Sequence, residues 1–116
     1  MYRKAVEFAK AAQVICNGLP KEGTKPVIDQ LRRASQSIPL NIAEGCSRYS
    51  ERDKTNFWRI AKGSVFECAA IVDLLSELNL ADHSVADSLQ ADLAQIGKML
   101  SGLIRWIEKN PREVKG

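Results

Sequence analysis

The sequence predicts an all-α fold, an antiparallel up-down-up-down four-helix bundle with a proline-kinked second helix. Four segments place apolar residues three and four positions apart, the period of a one-sided helix. Short stretches rich in Gly, Pro, Asn and Ser separate them, and short connections favour antiparallel neighbours. No stretch alternates apolar and polar residues between hairpin turns, so no sheet is expected.

The first helix is expected from about Tyr2 to Cys16, on the face of Tyr2, Val6, Ala9, Ala12 and Cys16. Asn17-Gly18 suits a left-handed cap, and Pro20 blocks continuation. The second starts after Thr24, a candidate N-cap, and runs through Val27, Leu31, Ala34, Ile38 and Ile42 to about Arg48. Ser50, with Asp53 three residues on, starts the third. There Phe57, Ala61, Ser64, Cys68, Ile71, Leu75 and Leu78 form a heptad seam. Trp58, Val65 and Val72 run beside that seam, and Ile60 and Leu74 lie on its other flank. Asp82 or Ser84 caps the fourth helix, which carries Val85, Leu89, Leu93, Ile96, Leu100, Leu103 and Ile107. Asn110-Pro111 stops it.

The 116 residues make one domain, with the bundle over 1–110 and a polar tail over 111–116. No apolar run reaches the roughly 18 residues of a membrane span, and "MYRKAVEFAK" has no signal-peptide core, so a cytoplasmic protein is expected. Cys16, Cys46 and Cys68 contain no C-x-x-C pair and fall at apolar helix positions, the pattern of free, buried thiols. The third helix carries more apolar positions than one neighbour covers, so a homo-oligomer is expected.

Charge is uneven along the chain. Between Leu31 and Lys62 seven basic residues face three acidic ones, whereas between Gly63 and Gly102 six acidic residues face Lys98 alone. A basic middle suggests a polyanion or an acidic partner. Arg32, Arg33, Arg48, Arg52, Lys54, Arg59 and Lys62 are the candidate nucleic-acid-binding residues. Tyr49, Phe57 and Trp58 lie among them, and arginine beside aromatics grips phosphates and stacks on unpaired bases. For Trp58, core packing is the stronger reading.

Catalytic patterns are missing. His83 is the single histidine, and Asp82-His83-Ser84 are too close in sequence to form a relay, so capping is their expected role. There is no G-x-S-x-G, P-loop or E-x-x-H element. No enzyme, metal or cofactor is expected.

One stretch breaks the helical pattern. In "QSIPLNIAEG", Pro39 lies mid-helix, where proline costs about 3 kcal/mol. It removes a donor and frees the Ser35 carbonyl, for which Ser37, Asn41 or water are candidate partners. A bent second helix follows. Glu44 is placed to pair with a nearby arginine, and Gly45 to allow close backbone approach or to end the bend.

The same stretch carries a resemblance. Gln30, Leu31, Arg32, Arg33, Ala34, Ser37, Ile38, Pro39, Asn41, Ile42, Ala43, Glu44 and Gly45 match Q-L-R-R-A-x-x-S-I-P-x-N-I-A-E-G. Phe57, Ala61, Gly63, Ser64 and Glu67 match a looser F-x-x-x-A-x-G-S-x-x-E. Both patterns resemble the 23S rRNA intervening-sequence proteins, a family of four-helix bundles. The resemblance implies a small cytoplasmic bacterial protein, encoded within a ribosomal RNA intervening sequence or standing alone. The family is similar to the accessory variability determinants of diversity-generating retroelements, which form pentamers, bind nucleic acid through a basic surface and bind a reverse transcriptase. The resemblance therefore implies a pentameric, non-enzymatic protein that binds RNA or single-stranded DNA weakly. The alternative is a scaffold that docks an acidic protein partner or a reverse transcriptase without touching nucleic acid.

Overall fold

The computed structural model describes residues 1–110, which form four helices. They are α1 (Tyr2–Gly18), α2 (Lys25–Ser47), α3 (Glu51–Glu77) and α4 (His83–Lys109). Each packs against the next in sequence, and α1 meets α4 to close the ring. The bundle measures 51 × 21 × 19 Å. The described residues contain no strand. The tail expected over 111–116 lies outside them.

Helix ends follow local chemistry. Ser50 Oγ accepts from the Asp53 amide and caps α3. Asp82 caps α4 by accepting from the Ser84 amide at 2.8 Å, and these bonds hold its carboxyl below the usual range. At the end of α3, Asn79 takes a left-handed φ of 57°. Its amide bonds the Ser76 carbonyl while Leu80 reaches that of Leu75, the paired closure of a Schellman motif. Two expected caps differ. Thr24 turns its hydroxyl back onto the Pro20 carbonyl and leaves the start of α2 uncapped by a side chain. Gly18 stays helical, and α1 ends at an extended Leu19; the left-handed glycine is Gly23, in the following loop.

The core draws on every helix: Phe8 from α1, Leu31, Ile38 and Ile42 from α2, Trp58 and Leu75 from α3, and Leu93, Ile96 and Leu100 from α4. Helix α1 buries Ala5, Phe8, Ala12 and Cys16 rather than the face of Tyr2, Val6 and Ala9. Phe8 decides this, because burying that ring gains about 2–3 kcal/mol, more than any residue on the competing stripe offers. In α4, Ala86 and Ile104 are buried, while Val85 is exposed and Leu103 half-buried. The α3 seam holds from Ala61 to Leu75, but Leu78 lies past the last turn and is exposed.

Helix α2 continues through Pro39. Asn41 Nδ2 donates to both the carbonyl and the hydroxyl of Ser37, not to the Ser35 carbonyl, and Ser64 Oγ of α3 donates to Ser37 Oγ at 2.8 Å. A hydroxyl and amide chain thus crosses the α2–α3 contact where the apolar seam is interrupted, and it leaves buried Ser64 satisfied.

Gly45 and Trp58 close the other end of that contact. The indole Nε1 donates to the Ile42 carbonyl at 3.3 Å. A Cβ on Gly45 would lie 2.4 Å from the same nitrogen, so only glycine admits the ring. Gly45→Ala should therefore destabilise the fold by about 2 kcal/mol, overpacking outweighing the helical gain of alanine. Urea unfolding would show it as a lower midpoint with an unchanged slope; an unchanged midpoint would contradict the packing account.

Candidate nucleic-acid interface

The α2–α3 connection gathers the densest part of the basic set. Arg48 is the extended residue that ends α2. Its guanidinium donates to Glu44 Oε2 at 2.9 Å and lies 4.7 Å from the Phe57 ring centroid. Lys54 Nζ reaches the carbonyls of Gly45, which also accepts the Arg48 amide, and of Cys46, at the end of α2 where the helix dipole favours cations. Arg52 stands exposed in the first turn of α3, and Tyr49 between them is 81% exposed. An exposed ion pair such as Glu44–Arg48 is worth about 0–1 kcal/mol, so Arg48 can exchange its carboxylate for a phosphate.

The other candidates are dispersed. Arg32 turns toward α1 and donates to Asn17 Oδ1 at 3.0 Å. Arg33 lines a cleft between α2 and α3, about 22 Å before Arg48 along the same helix. Arg59 pairs with Glu108 of α4. Lys62 lies half-buried at the α3–α4 groove. The fold therefore unites Arg48, Arg52 and Lys54 and distributes Arg32, Arg33, Arg59 and Lys62 over other surfaces. Trp58 is buried, so of the three interleaved aromatics only Tyr49 and the flank of Phe57 face solvent.

One polar cluster is absent from sequence reasoning. Gln30 Nε2 donates to Glu67 Oε2 at 2.9 Å, beside the Ser37–Ser64 bond, in the cleft that Arg33 also lines. These residues come from two motifs 37 positions apart at Gln30 and Glu67. The visible signal was Ser64, a hydroxyl inside an otherwise apolar seam.

Of the groups with reactive potential, His83, Cys16 and Cys68 are engaged or buried and Cys46 is exposed. His83 Nδ1 shares a hydrogen bond with Ser76 Oγ at 2.8 Å, joining the start of α4 to the end of α3, while Asp82 serves Ser84. Among the described residues no group of three or more His, Cys, Asp or Glu could hold a metal. No described helix is long and apolar enough to cross a membrane. Cys16 and Cys68 are buried, but Cys46, expected inside, is exposed, because it falls on the outer side of α2 between Gly45 and Ser47. Burial pushes the Cys68 thiol up to about 12, helped by the charges of Glu67 and Cys16. Burial also raises Cys16, against the opposing pull of Arg32.

The described residues thus form a four-helix bundle whose α2–α3 end is basic. Residues 1–102 match the 23S rRNA-intervening sequence protein family. The chain belongs to that family. It is also similar to the crystal structure of a protein of unknown function from the S23 ribosomal protein family of Bacteroides thetaiotaomicron. The TM-score is 0.83 at 26% identity, over 89% of this chain and 96% of that one. No curated protein matches the sequence.

The thiol environments give a direct check. At mildly alkaline pH a soluble disulfide reagent should label Cys46 rapidly and leave Cys16 and Cys68 unmodified until denaturant is added. Rapid native labelling of Cys68 would contradict its burial.

Proposed function

We propose that this chain is a non-enzymatic, self-associating cytoplasmic protein that binds RNA or single-stranded DNA weakly and with little sequence preference. The observation that carries the reading is the α2–α3 end, where Arg48 and Arg52 flank an exposed tyrosine. Guanidinium groups would hold phosphates and Tyr49 would stack on an unpaired base. Lys54, tied to helix carbonyls, adds field more than contact, as do the more distant Arg32, Arg33, Arg59 and Lys62.

Self-association follows from apolar surface. Ile60 and Leu74 of α3, with Leu78 just past its end, are exposed large side chains, more than an isolated helix face normally leaves in water. A ring, with five copies favoured, would cover part of this surface and repeat the basic end, so that weak contacts add by avidity. The second reading, a scaffold for an acidic protein partner such as a reverse transcriptase, is favoured by the cationic α3–α4 groove.

Titration with single-stranded and hairpin RNA should give binding that weakens roughly tenfold or more between about 50 and about 200 mM salt. Arg48→Ala/Arg52→Ala should lower affinity for both probes alike, and Tyr49→Ala should cost about 1 kcal/mol on the single strand alone. Absence of binding at low salt would refute the reading. Separately, Pro39 is proposed to bend α2 and thereby shape the assembly surface. In Pro39→Ala the restored amide should straighten the helix and shift the oligomer mass in light scattering. An unchanged bend with an unchanged mass would make the proline incidental.

A further inference from the structure

The α3–α4 side of the bundle carries a groove of about 680 Å³ that neither the charge pattern nor the family motifs single out. Its floor is apolar, formed by Val65, Phe66 and Ala69 of α3 with Leu93 of α4, and Phe66 is 64% exposed. The α4 wall is low, because Ala94, Gly97 and Ser101 succeed one another at helical spacing. Cross-helix ties bound it. Gln90 Nε2 donates to the Ala69 carbonyl at 2.8 Å at one end, and Arg59 pairs with Glu108 at the other. From Gln90 to Glu108 the wall runs about 27 Å, some five helical turns.

Three cations line this groove: Lys62 from α3, and Lys98 and Arg105 from α4. Among the described residues none of them has a carboxylate within ion-pair distance, whereas Lys4, Arg48 and Arg59 each have one. Lys98 and Arg105 are seven residues apart, two turns or about 10 Å along the wall. An apolar floor between cations at that interval is complementary to a helix that carries apolar residues on one face and carboxylates two turns apart beside them. Nucleic acid fits less well, because phosphates gain nothing from Val65, Phe66 and Leu93.

We infer that the α3–α4 groove docks an acidic amphipathic helix of a partner protein. Such a helix lies along the groove as a fifth helix on the bundle. Its apolar face covers Phe66 and Ala69, and its carboxylates pair with Lys98, Arg105 and Lys62. This site gives the second, scaffold reading its partner chemistry and rests on that reading; it is distinct from the α2–α3 end assigned to nucleic acid and does not depend on that assignment.

The test uses the full chain and a fluorescent helical peptide of about 18 residues with a leucine face flanked by glutamates, compared with the same peptide carrying lysines. Fluorescence anisotropy should show the glutamate peptide binding at least about tenfold more tightly than the lysine peptide. Lys98→Glu/Arg105→Glu should invert that preference. Gly97→Leu should weaken binding about tenfold by filling the groove, since the added side chain starts 3.6 Å from Val65 without a backbone clash. Ser101→Trp provides a second block if Gly97→Leu fails to fold by circular dichroism. Arg48→Ala/Arg52→Ala should leave peptide binding unchanged even where it lowers RNA affinity. No binding of the glutamate peptide, equal binding of both peptides, or a preference that survives the charge reversal would overturn the inference. So would RNA displacing the peptide in direct competition, or a change of oligomer mass on Gly97→Leu, which would assign the groove to nucleic acid or to a second copy.

Discussion

The contact between Trp58 and the backbone of α2 is the constraint on which the rest of the structure depends. The ring occupies the space a side chain at Gly45 would fill and donates to the Ile42 carbonyl. This brings the two longest mutually packed surfaces together at the end where α2 turns into α3. The turn of Arg48, Tyr49 and Ser50 then has little room. Arg48 leaves the helix in an extended conformation, Ser50 caps α3, and Lys54 folds back onto the last carbonyls of α2. The basic end is thus a consequence of helix termination. Lys54 satisfies the negative end of α2, while Arg48 and Arg52 are left facing solvent.

Farther along the same seam, polar groups replace apolar ones without leaving the core unsatisfied. Ser37, Asn41 and Ser64 bond one another across α2 and α3, and Gln30 meets Glu67 beyond them. A neutral hydroxyl pair costs little to bury when each partner is bonded, and it fixes the register of two helices more tightly than apolar packing alone. The two stretches that carry the family pattern are the two sides of this one contact, which explains their residue types structurally.

The two sides of α3 differ in consequence. Toward α2 it is sealed by Trp58 and the serine bonds. Toward α4 it is held at Gln90 and at Arg59, with an apolar groove between these ties. The bundle therefore has a rigid seam and an open one. The partner surfaces proposed above lie on the open seam and at the basic end.

Much of this was legible in the sequence. The three- and four-residue spacing of Leu31, Ala34, Ile38 and Ile42, or of Ala61, Ser64, Cys68, Ile71 and Leu75, specifies helices and their buried faces, because a helix repeats every 3.6 residues whatever surrounds it. Ser50, Asp82 and Glu44 were legible for a related reason, since their partners lie within four residues. Where two apolar stripes competed, as on α1, only the packing of Phe8 against the other helices decided which faced inward. Cys46 was misplaced because its neighbours in space, not in sequence, set its exposure. The scatter of Arg32, Arg33, Arg59 and Lys62, the Gln30–Glu67 bond and the α3–α4 groove have the same origin. Local period and local chemistry fix elements and caps from the sequence alone. Which charges meet, and which surfaces stay open, depends on residues brought together over tens of positions, and only the tertiary structure decides that.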